Sequence, residues 1–255
     1  MTRDDVVLER MFRNVGLYFA RCAMSSPGGQ ALQFGGVRAA VMPAMPHASI
    51  VNSVTYGDPD ALESCIDELA AAYDEAGVRA WAAWTHERDE RGQAILSEAG
   101  FELDSEPMSM VLDLDGTIEA PGADELDVTE EPDPGELAGV VERSYGFPAG
   151  MFGRGFPQLP DVHSYLARHE GDPAGVLMAN DLEGDCGIFL VGTVPEARGR
   201  GISTGLMRRA LADAASRGCT ISTLQASAMG YPVYRRLGYR DLGQAQLWER
   251  RDAGA

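Results

Sequence analysis

Arginine and glycine alternate in one short segment, residues 198–201, which lies between a strand-like run and a helix-like run. The run before it, residues 187–194, is rich in β-branched and aromatic residues and ends at Pro195, which has no N–H for a sheet ladder. After the segment, apolar residues recur at helical spacing as far as Gly218, where a helix end is expected. The pattern predicts a strand, a glycine-rich loop and a helix, in that order.

This order favours binding of a phosphate. The first N–H groups of a helix have no partner within the helix and carry partial positive charge. Glycines let a phosphate approach that backbone closely. Arg198 and Arg200 add permanent charge and fork-shaped donors, and a pyrophosphate fits such a loop better than a single phosphate. The alternative is a surface loop with two solvated arginines.

Two common nucleotide-binding motifs are excluded. The chain contains no lysine, so a P-loop with its phosphate-binding lysine is absent from the sequence. A dinucleotide fingerprint needs three glycines in the order G-x-G-x-x-G, whereas Gly199, Gly201 and Gly205 follow the order G-x-G-x-x-x-G.

Two blocks of the sequence resemble the GCN5-related N-acetyltransferases, the GNAT superfamily. Arg198-Gly199-Arg200-Gly201-Ile202-Ser203 is similar to the family's acetyl-CoA loop, Gln/Arg-x-x-Gly-x-Gly/Ala, and Val194-Pro195 matches the strand end before it. Ser203 departs from the pattern, but serine is small and can cap a helix. Residues 224–239 resemble the family's later strand, tyrosine-bearing helix and Gly-aromatic turn.

The resemblance implies acetyl-CoA as co-substrate and no metal. It also implies that two neighbouring strands part near the loop and that the thioester lies in the gap. Backbone groups of the first strand would pair with the pantetheine arm, and one N–H would polarise the thioester carbonyl. The implied cofactor-binding residues are Val191, Thr193, Val194, Arg198, Gly199, Arg200, Gly201, Ser203, Thr204 and Ser227.

By the same resemblance, Tyr234 would give a proton to the leaving thiolate. Tyr234 could instead be a core tyrosine, and Tyr231 is the neighbouring alternative for the acid. Ser227 could simply end a strand. Glu142 and His163 are candidates for the base that takes the proton of the amine, although each could equally have a structural role.

The two halves of the chain repeat one order of elements: strand, helix ending in Gly, strand, helix ending in Gly-aromatic, strand. We therefore predict an α/β fold class with two tandem GNAT-like folds, each a mixed, mostly antiparallel β-sheet flanked by helices. The predicted domains are residues 1–118 and the acetyl-CoA-binding residues 124–255, with a linker at residues 115–124. Within the first half, residues 48–56 are predicted to form a single strand.

The first half is predicted to be degenerate. At the position of the phosphate loop it has Asp58 and Asp60, which would repel a pyrophosphate, and Pro59, which lacks an N–H donor. Leu96 stands where Tyr234 stands in the second half, and leucine has no proton to give. We expect this half to pack against the second half and shape its cleft.

Composition narrows the class of partner. The net charge of −18 argues against nucleic acid, and no apolar run approaches the ~20 residues of a membrane span. Residues 198–251 nevertheless contain 10 Arg against three acidic residues, which suits a polyanion such as coenzyme A. The four cysteines lack metal-ligand spacing. A polar, acidic N-terminus makes the cytoplasm the default expectation, and the family is compatible with a homodimer.

The leading hypothesis is an acetyl-CoA-dependent N-acetyltransferase that acts on a primary amine of a small molecule. One alternative is transfer to a protein N-terminus or lysine, although the Gly/Pro-rich loop of residues 147–160 looks more like a lid than an open peptide groove. A second alternative is a non-catalytic acyl-CoA-binding sensor or scaffold. The sequence does not identify the acceptor.

Overall fold

A computed structural model describes residues 2–114, 126–152, 159 and 161–251. The chain divides into two compact units. The first contains the residues through Met110, the segment Gln225–Ala228 and the chain from Asp241 onward, and the second contains Val111–Leu224 and Met229–Arg240. The predicted linker, residues 115–124, lies outside the described residues.

The first unit begins with a long helix and continues as alternating strands and helices. Its elements are α1 (Arg3–Met24), β1 (Gln30–Phe34), β2 (Val37–Val41), β3 (Ser53–Tyr56), α2 (Pro59–Glu75), β4 (Ala80–His86), α3 (Glu90–Glu98) and β5 (Glu102–Ser105). Strand β6 (Met108–Asp113) crosses the boundary between the units. The strand predicted at residues 48–56 is shorter than expected: only its last four residues, Ser53–Tyr56, form a strand.

The sheet of the first unit is mixed and mostly antiparallel. Strands β1, β2 and β3 pair antiparallel, and β3 pairs parallel with β4. The core on this sheet includes Tyr73, whose ring stacks on Trp81 with ring centroids 4.4 Å apart. The other buried side chains of that core include Val37, Leu62, Leu69, Leu96 and Phe101.

The last strand of the chain completes this first sheet, although residues 124–255 are predicted to form a separate domain. Strand β12 (Arg240–Arg251) pairs antiparallel with β4, from Ala245 opposite His86 to Arg251 opposite Ala80. It also pairs with β5. The compact units therefore do not follow the predicted boundaries, because sheet hydrogen bonds, and not chain order, decide where a strand belongs.

The parallel pairing of β3 with β4 covers only two positions, Ser53 with Ala82 and Val54 with Ala83. Two residues later, the Tyr56 hydroxyl lies 2.7 Å from Thr85 Oγ1 and 2.8 Å from Asp89 Oδ2. A Cβ on Gly92 would lie 2.0 Å from that hydroxyl oxygen, so a larger residue there would have to displace the hydroxyl. Side chains thus connect the two strands beyond the point where their backbone pairing ends.

The second unit has the same plan. Its elements are β7 (Asp127–Glu130), α4 (Pro134–Tyr145), β8 (Val162–His169), β9 (Asp172–Leu182), β10 (Asp185–Thr193), α5 (Ile202–Ser216), β11 (Ile221–Ala226) and α6 (Tyr231–Arg236). Strands β7 to β10 pair antiparallel in chain order, and β10 pairs parallel with β11. Each unit is therefore a mixed, mostly antiparallel sheet with helices, as the sequence predicts.

Candidate functional site

Strand β10 parts from β11 near its middle and is bulged against β9, with which it pairs again at Gly192 and Thr193. Its parallel register with β11 runs from Asp185 to Gly187, and the register with β9 shifts between Phe189 and Gly192. Leu190 inside this bulge has a φ of 50°, a left-handed value that costs a non-glycine residue energy. The backbone of residues 189–192 is therefore turned away from regular ladder geometry.

The loop after β10 is shaped by two glycines. A short 3₁₀ turn (Pro195–Ala197) follows the strand, and then Gly199 and Gly201 adopt φ values of 77° and 79°. Only glycine adopts such values without strain. Among the described residues, no atom lies within 4 Å of where a Cβ would be at either position, so the outer surface of the loop is open toward them.

Helix α5 begins without a side-chain cap. Gly201 is its N-cap and has no side chain to accept a hydrogen bond from the first amides. The N–H groups of residues 202–204 consequently carry the partial positive charge of a helix start toward the loop. This is the arrangement that binds phosphate groups.

Three contacts fix the start of α5 against the strands. A Cβ on Gly175 of β9 would lie 2.5 Å from Ile202 Cγ2 and 3.0 Å from Leu206 Cδ1, so glycine permits this close approach. The hydroxyls of Thr193 and Ser203 form a 2.7 Å hydrogen bond between the end of β10 and the first turn of the helix. The departure from the family pattern at position 203 thus supplies a link between strand and helix.

The two arginines of the loop have different surroundings. Arg198 donates from Nε to the Thr193 carbonyl at 3.2 Å and from Nη2 to the Ser144 carbonyl at 3.0 Å. Arg200 is exposed, and within the described part of the chain its guanidinium makes no hydrogen bond or ion pair. Arg198 therefore holds the loop in place, and Arg200 is the cation that remains available to an anion.

Tyr234 on α6 is buried, with 8% of its surface exposed. Its ring packs edge-on against Tyr239, with centroids 5.9 Å apart, and Tyr239 hydrogen-bonds Ser222 at 2.7 Å. Gly230 makes room for the ring, because a Cβ there would lie 2.8 Å from Tyr234 Cε2. Burial, with a smaller effect from Tyr145, raises the pKa of Tyr234 well above its usual range, so the phenol keeps its proton at neutral pH.

One aromatic residue contacts the bulge of β10, and two more pack beside it. The Tyr145 hydroxyl donates to the Val191 carbonyl at 3.1 Å, and Tyr145 stacks on Phe147 with centroids 5.8 Å apart. Phe147 meets Phe152 edge to face at 5.6 Å. A Cβ on Gly192 would lie 2.8 Å from Ser144 Cβ and 3.2 Å from the Tyr145 ring, so this glycine lets the end of α4 reach the strand.

Comparison with known proteins agrees with this arrangement. A family model described as an acetyltransferase (GNAT) domain matches residues 186–241, which run from β10 through the loop, α5, β11 and α6. Residues 186–241 therefore match a GNAT acetyltransferase domain. No curated protein sequence matches the chain.

Solved structures with low sequence identity share the fold. A GCN5-related N-acetyltransferase from Kribbella flavida has a TM-score of 0.67 at 16% identity, with 94% of this chain and 96% of that chain covered. One from Sphaerobacter thermophilus has a TM-score of 0.55 at 15% identity, with 93% and 91% covered. A tandem GNAT protein from the clavulanic acid biosynthesis pathway has a TM-score of 0.58 at 13% identity, with 95% and 96% covered.

The second unit contains most of the predicted site residues. Val191, Thr193, Val194, Arg198, Gly199, Arg200, Gly201, Ser203 and Thr204 lie at the end of β10, in the loop and in the first turn of α5. Tyr234 belongs to the same unit. Ser227 does not, because it lies after β11 in the segment that belongs to the first unit. Its cofactor contact stays a prediction.

The two candidate bases both have structural partners in the second unit. Glu142 is buried, and its carboxylate accepts the N–H groups of Gly150 at 2.9 Å and Phe152 at 3.0 Å. His163 lies 4.0 Å from a Glu131 oxygen and 3.6 Å from an Asp181 oxygen. Glu142 therefore fixes the loop after α4, and the structure gives no geometric reason to assign the base to either residue.

A cavity of about 470 Å³ adjoins the glycine loop. Val194 and Arg200 contribute to its wall from the loop side, and Pro173 and Ala174 contribute from β9. Arg143 pairs with Glu196 at its edge. Its charged lining is of both signs, and the other wall residues are His169, Glu170, Asp172 and Ala197.

Within the described residues no group of three or more His, Cys, Asp and Glu side chains is arranged to hold a metal ion. All four cysteines are free thiols, and Cys65, Cys186 and Cys219 are buried. No helix within residues 2–114, 126–152 and 161–251 combines the length and apolarity that a membrane crossing requires.

Sequence reasoning missed Gly192, Gly230 and Tyr145. The two glycines matter because another group comes close to their Cα, and no local motif predicts such an approach. Tyr145 acts on Val191, which is 46 residues away in the chain. A glycine inside a strand pattern is the one available signal for Gly192, because such glycines often mark a bulge or a close backbone approach.

Proposed function

We propose that this protein transfers the acetyl group of acetyl-CoA to a primary amine of a small molecule. The observation that carries the proposal is the combination of two features in one GNAT domain. Strand β10 leaves its neighbour after Gly187, and an open glycine loop then leads into an uncapped helix start. The gap suits a thioester arm, and the loop suits the pyrophosphate of the same molecule.

The residues present fit coenzyme A. The amides of residues 202–204 and the Arg200 guanidinium would hold the pyrophosphate, and the open surface at Gly199 and Gly201 leaves room for it. Backbone groups from Val191 to Val194 would pair with the pantetheine arm. When bound, acetyl-CoA supplies an activated acyl group and a thiolate leaving group.

The chemistry needs three contributions from the protein. A backbone N–H of the bulged segment would polarise the thioester carbonyl, which favours attack of the neutral amine on the carbonyl carbon. As the C–N bond forms and the C–S bond breaks, Tyr234 would give its proton to the sulfur. Because Glu142 is engaged by two backbone amides, the proton of the amine would leave through water.

Calorimetric titration with acetyl-CoA tests the proposal. We expect one site per chain and release of free thiol when a primary amine is added. Absence of binding would refute the proposal. Binding without turnover on any small amine or peptide would favour a sensor or scaffold, and turnover on peptides alone would favour a protein acetyltransferase. Two sites per chain would contradict the predicted degeneracy of the first half.

A charge reversal sharpens the test. Arg200→Glu removes a charge-assisted contact worth about 1.5–3 kcal/mol, so we expect the Kd for acetyl-CoA to rise roughly 10- to 100-fold. Arg3→Glu is the matched control, because Arg3 is exposed at the start of α1 and its reversal changes the net charge equally. Equal affinities for the two variants would remove Arg200 from the site.

The remaining expectations about partners belong to the same proposal. We propose that the protein acts without nucleic acid, membrane or metal, in the cytoplasm, and that it is compatible with a homodimer. The net charge of −18 supports the first of these, because a strongly acidic protein repels a polyanion outside its basic segment.

A further inference from the structure

Tyr145, Phe147 and Phe152 form a cluster of three aromatic rings, here called the aromatic cluster. Tyr145 stacks on Phe147 with an angle of 12° between the ring planes, and Phe152 meets Phe147 at 72°. Tyr145 remains 46% exposed although its hydroxyl is bonded to the Val191 carbonyl. A ring face is therefore presented to solvent within the second unit.

The aromatic cluster lies beside the atoms that the proposed reaction uses. The hydrogen bond from Tyr145 to Val191 places this ring at the bulge of β10, where the thioester is proposed to bind. Tyr145 also lies near enough to Tyr234 to raise the pKa of that phenol. The cluster thus adjoins the proposed acyl position through the Tyr145 hydroxyl.

The cluster is held in place by its own helix end. Gly146 ends α4 with a left-handed φ of 73°, and the Phe147 N–H returns to the Glu142 carbonyl at 2.9 Å. The Glu142 carboxylate accepts the N–H groups of Gly150 and Phe152. The chain from α4 to Phe152 is therefore fixed by hydrogen bonds to a single buried residue.

The hydrogen bonds to Glu142 also bear on which kind of acceptor the aromatic cluster can bind. A polycationic amine needs unengaged carboxylates for its several ammonium groups, and the Glu142 carboxylate beside the cluster is already engaged by two amides. Aromatic faces instead favour a flat apolar ring, stacked or edge-on. A single ammonium group is also tolerated near a ring face.

We infer that the aromatic cluster binds the body of the acceptor and that the acceptor is a primary amine carried on an aromatic ring. This inference rests on the proposed function and names the substrate class of that site. The ring of the acceptor would pack on Tyr145 and Phe147, with its amine directed toward Val191 and Tyr234.

The wild-type protein gives the first test, with thiol release measured for three probes. Phenethylamine carries an aromatic ring, 2-cyclohexylethylamine has the same charge and similar size without π electrons, and spermidine is a polycation. We expect kcat/KM to be about 3- to 10-fold higher for phenethylamine than for the cyclohexyl amine, and lowest for spermidine. Equal values for the first two probes, or a preference for spermidine, would overturn the inference.

A variant gives the second test. Phe147→Leu keeps apolar volume but removes the central ring, and we expect KM for phenethylamine to rise about 3- to 10-fold while KM for the cyclohexyl amine stays the same. Phe12→Leu on α1 is the control for loss of a half-buried phenylalanine. A parallel rise for both amines would mean that the ring has a structural role only and would overturn the inference.

Acetyl-CoA titration of the same samples distinguishes failure of the proposed acetyl transfer from failure of the proposed aromatic acceptor. Absence of acetyl-CoA binding by the wild-type protein would refute the proposed function itself. Normal acetyl-CoA binding together with no preference for the aromatic amine would refute the aromatic acceptor and leave the proposed function intact.

Discussion

Replacing Tyr234 with phenylalanine separates proton donation from packing. The ring is buried against Tyr239 and Gly230, and no partner of the hydroxyl is found in the described residues. Removing the oxygen should therefore change the free energy of unfolding by less than about 1 kcal/mol, which is the typical net value of one hydrogen bond. The packing of the ring, which sets the shape of the site, would be kept.

The expected loss of catalysis is much larger. A positioned general acid contributes about 10²- to 10⁴-fold to rate, and this corresponds to roughly 3–5 kcal/mol at 1.36 kcal/mol per tenfold. We expect Tyr234→Phe to lower kcat for thiol release by at least about 10²-fold and to leave the Kd for acetyl-CoA within about twofold. Tyr231→Phe, in the same helix, is the matched control.

The pH profile provides an independent check. Because burial raises the pKa of Tyr234, the phenol stays protonated through neutral pH and into the alkaline range. Loss of the acid should therefore cause no decline of kcat below about pH 10, the usual tyrosine pKa. A kcat for Tyr234→Phe within threefold of the wild type would refute the reasoning, and a large loss in Tyr231→Phe alone would transfer the role to Tyr231.

Three further predictions concern the loop, the first unit and pH. Gly201→Ala and Gly218→Ala should each lower the free energy of unfolding in urea by about 1–2 kcal/mol, because both glycines have left-handed φ and open space around them. Only Gly201→Ala should weaken acetyl-CoA binding in calorimetry, and equal affinities of the two variants would contradict the loop assignment. Gly92→Ala should lower the free energy of unfolding by about 1–3 kcal/mol in the same assay, because its Cβ would lie 2.0 Å from the Tyr56 hydroxyl. An unchanged free energy of unfolding would show that the Tyr56 side chain moves aside without cost. Burial raises the pKa of Cys219 to about 12, so its proton is retained in the folded state and lost in the unfolded state above about pH 8.5. Thermal melts should therefore show stability that is full below that pH and falls between about pH 9 and 12, and a Cys219→Ala variant should show a smaller fall.

The local part of the site could be predicted from sequence. The glycine loop and helix α5 depend on residues that are near one another in the chain, and left-handed φ values at Gly199 and Gly201 follow from residue type. The strand predicted at residues 48–56 is partly wrong for a physical reason. Asn52 accepts the Met42 N–H at 2.6 Å and donates to carbonyls of the preceding loop, so its side chain stabilises turns where the pattern predicts a strand.

Non-local partners could not be predicted. The repeated order of elements predicts a last strand after Gly238-Tyr239, but nothing in the sequence selects β4, more than 150 residues earlier, as the neighbour of β12. The roles of Gly175 and Gly192 depend on which helix comes close to them. Glu142 was a reasonable candidate base by type, and the two amides that engage its carboxylate are visible only in three dimensions.

The position of β12 has a consequence for the order in which the protein folds. Strand β4 receives its antiparallel neighbour only when residues 245–251 have been synthesised, so the unit that leaves the ribosome first is completed last. Until then β4 exposes an unpaired edge, which is an opportunity for association with other chains. Removal of the last eleven described residues would therefore damage the N-terminal unit directly, because β4 would lose its antiparallel neighbour.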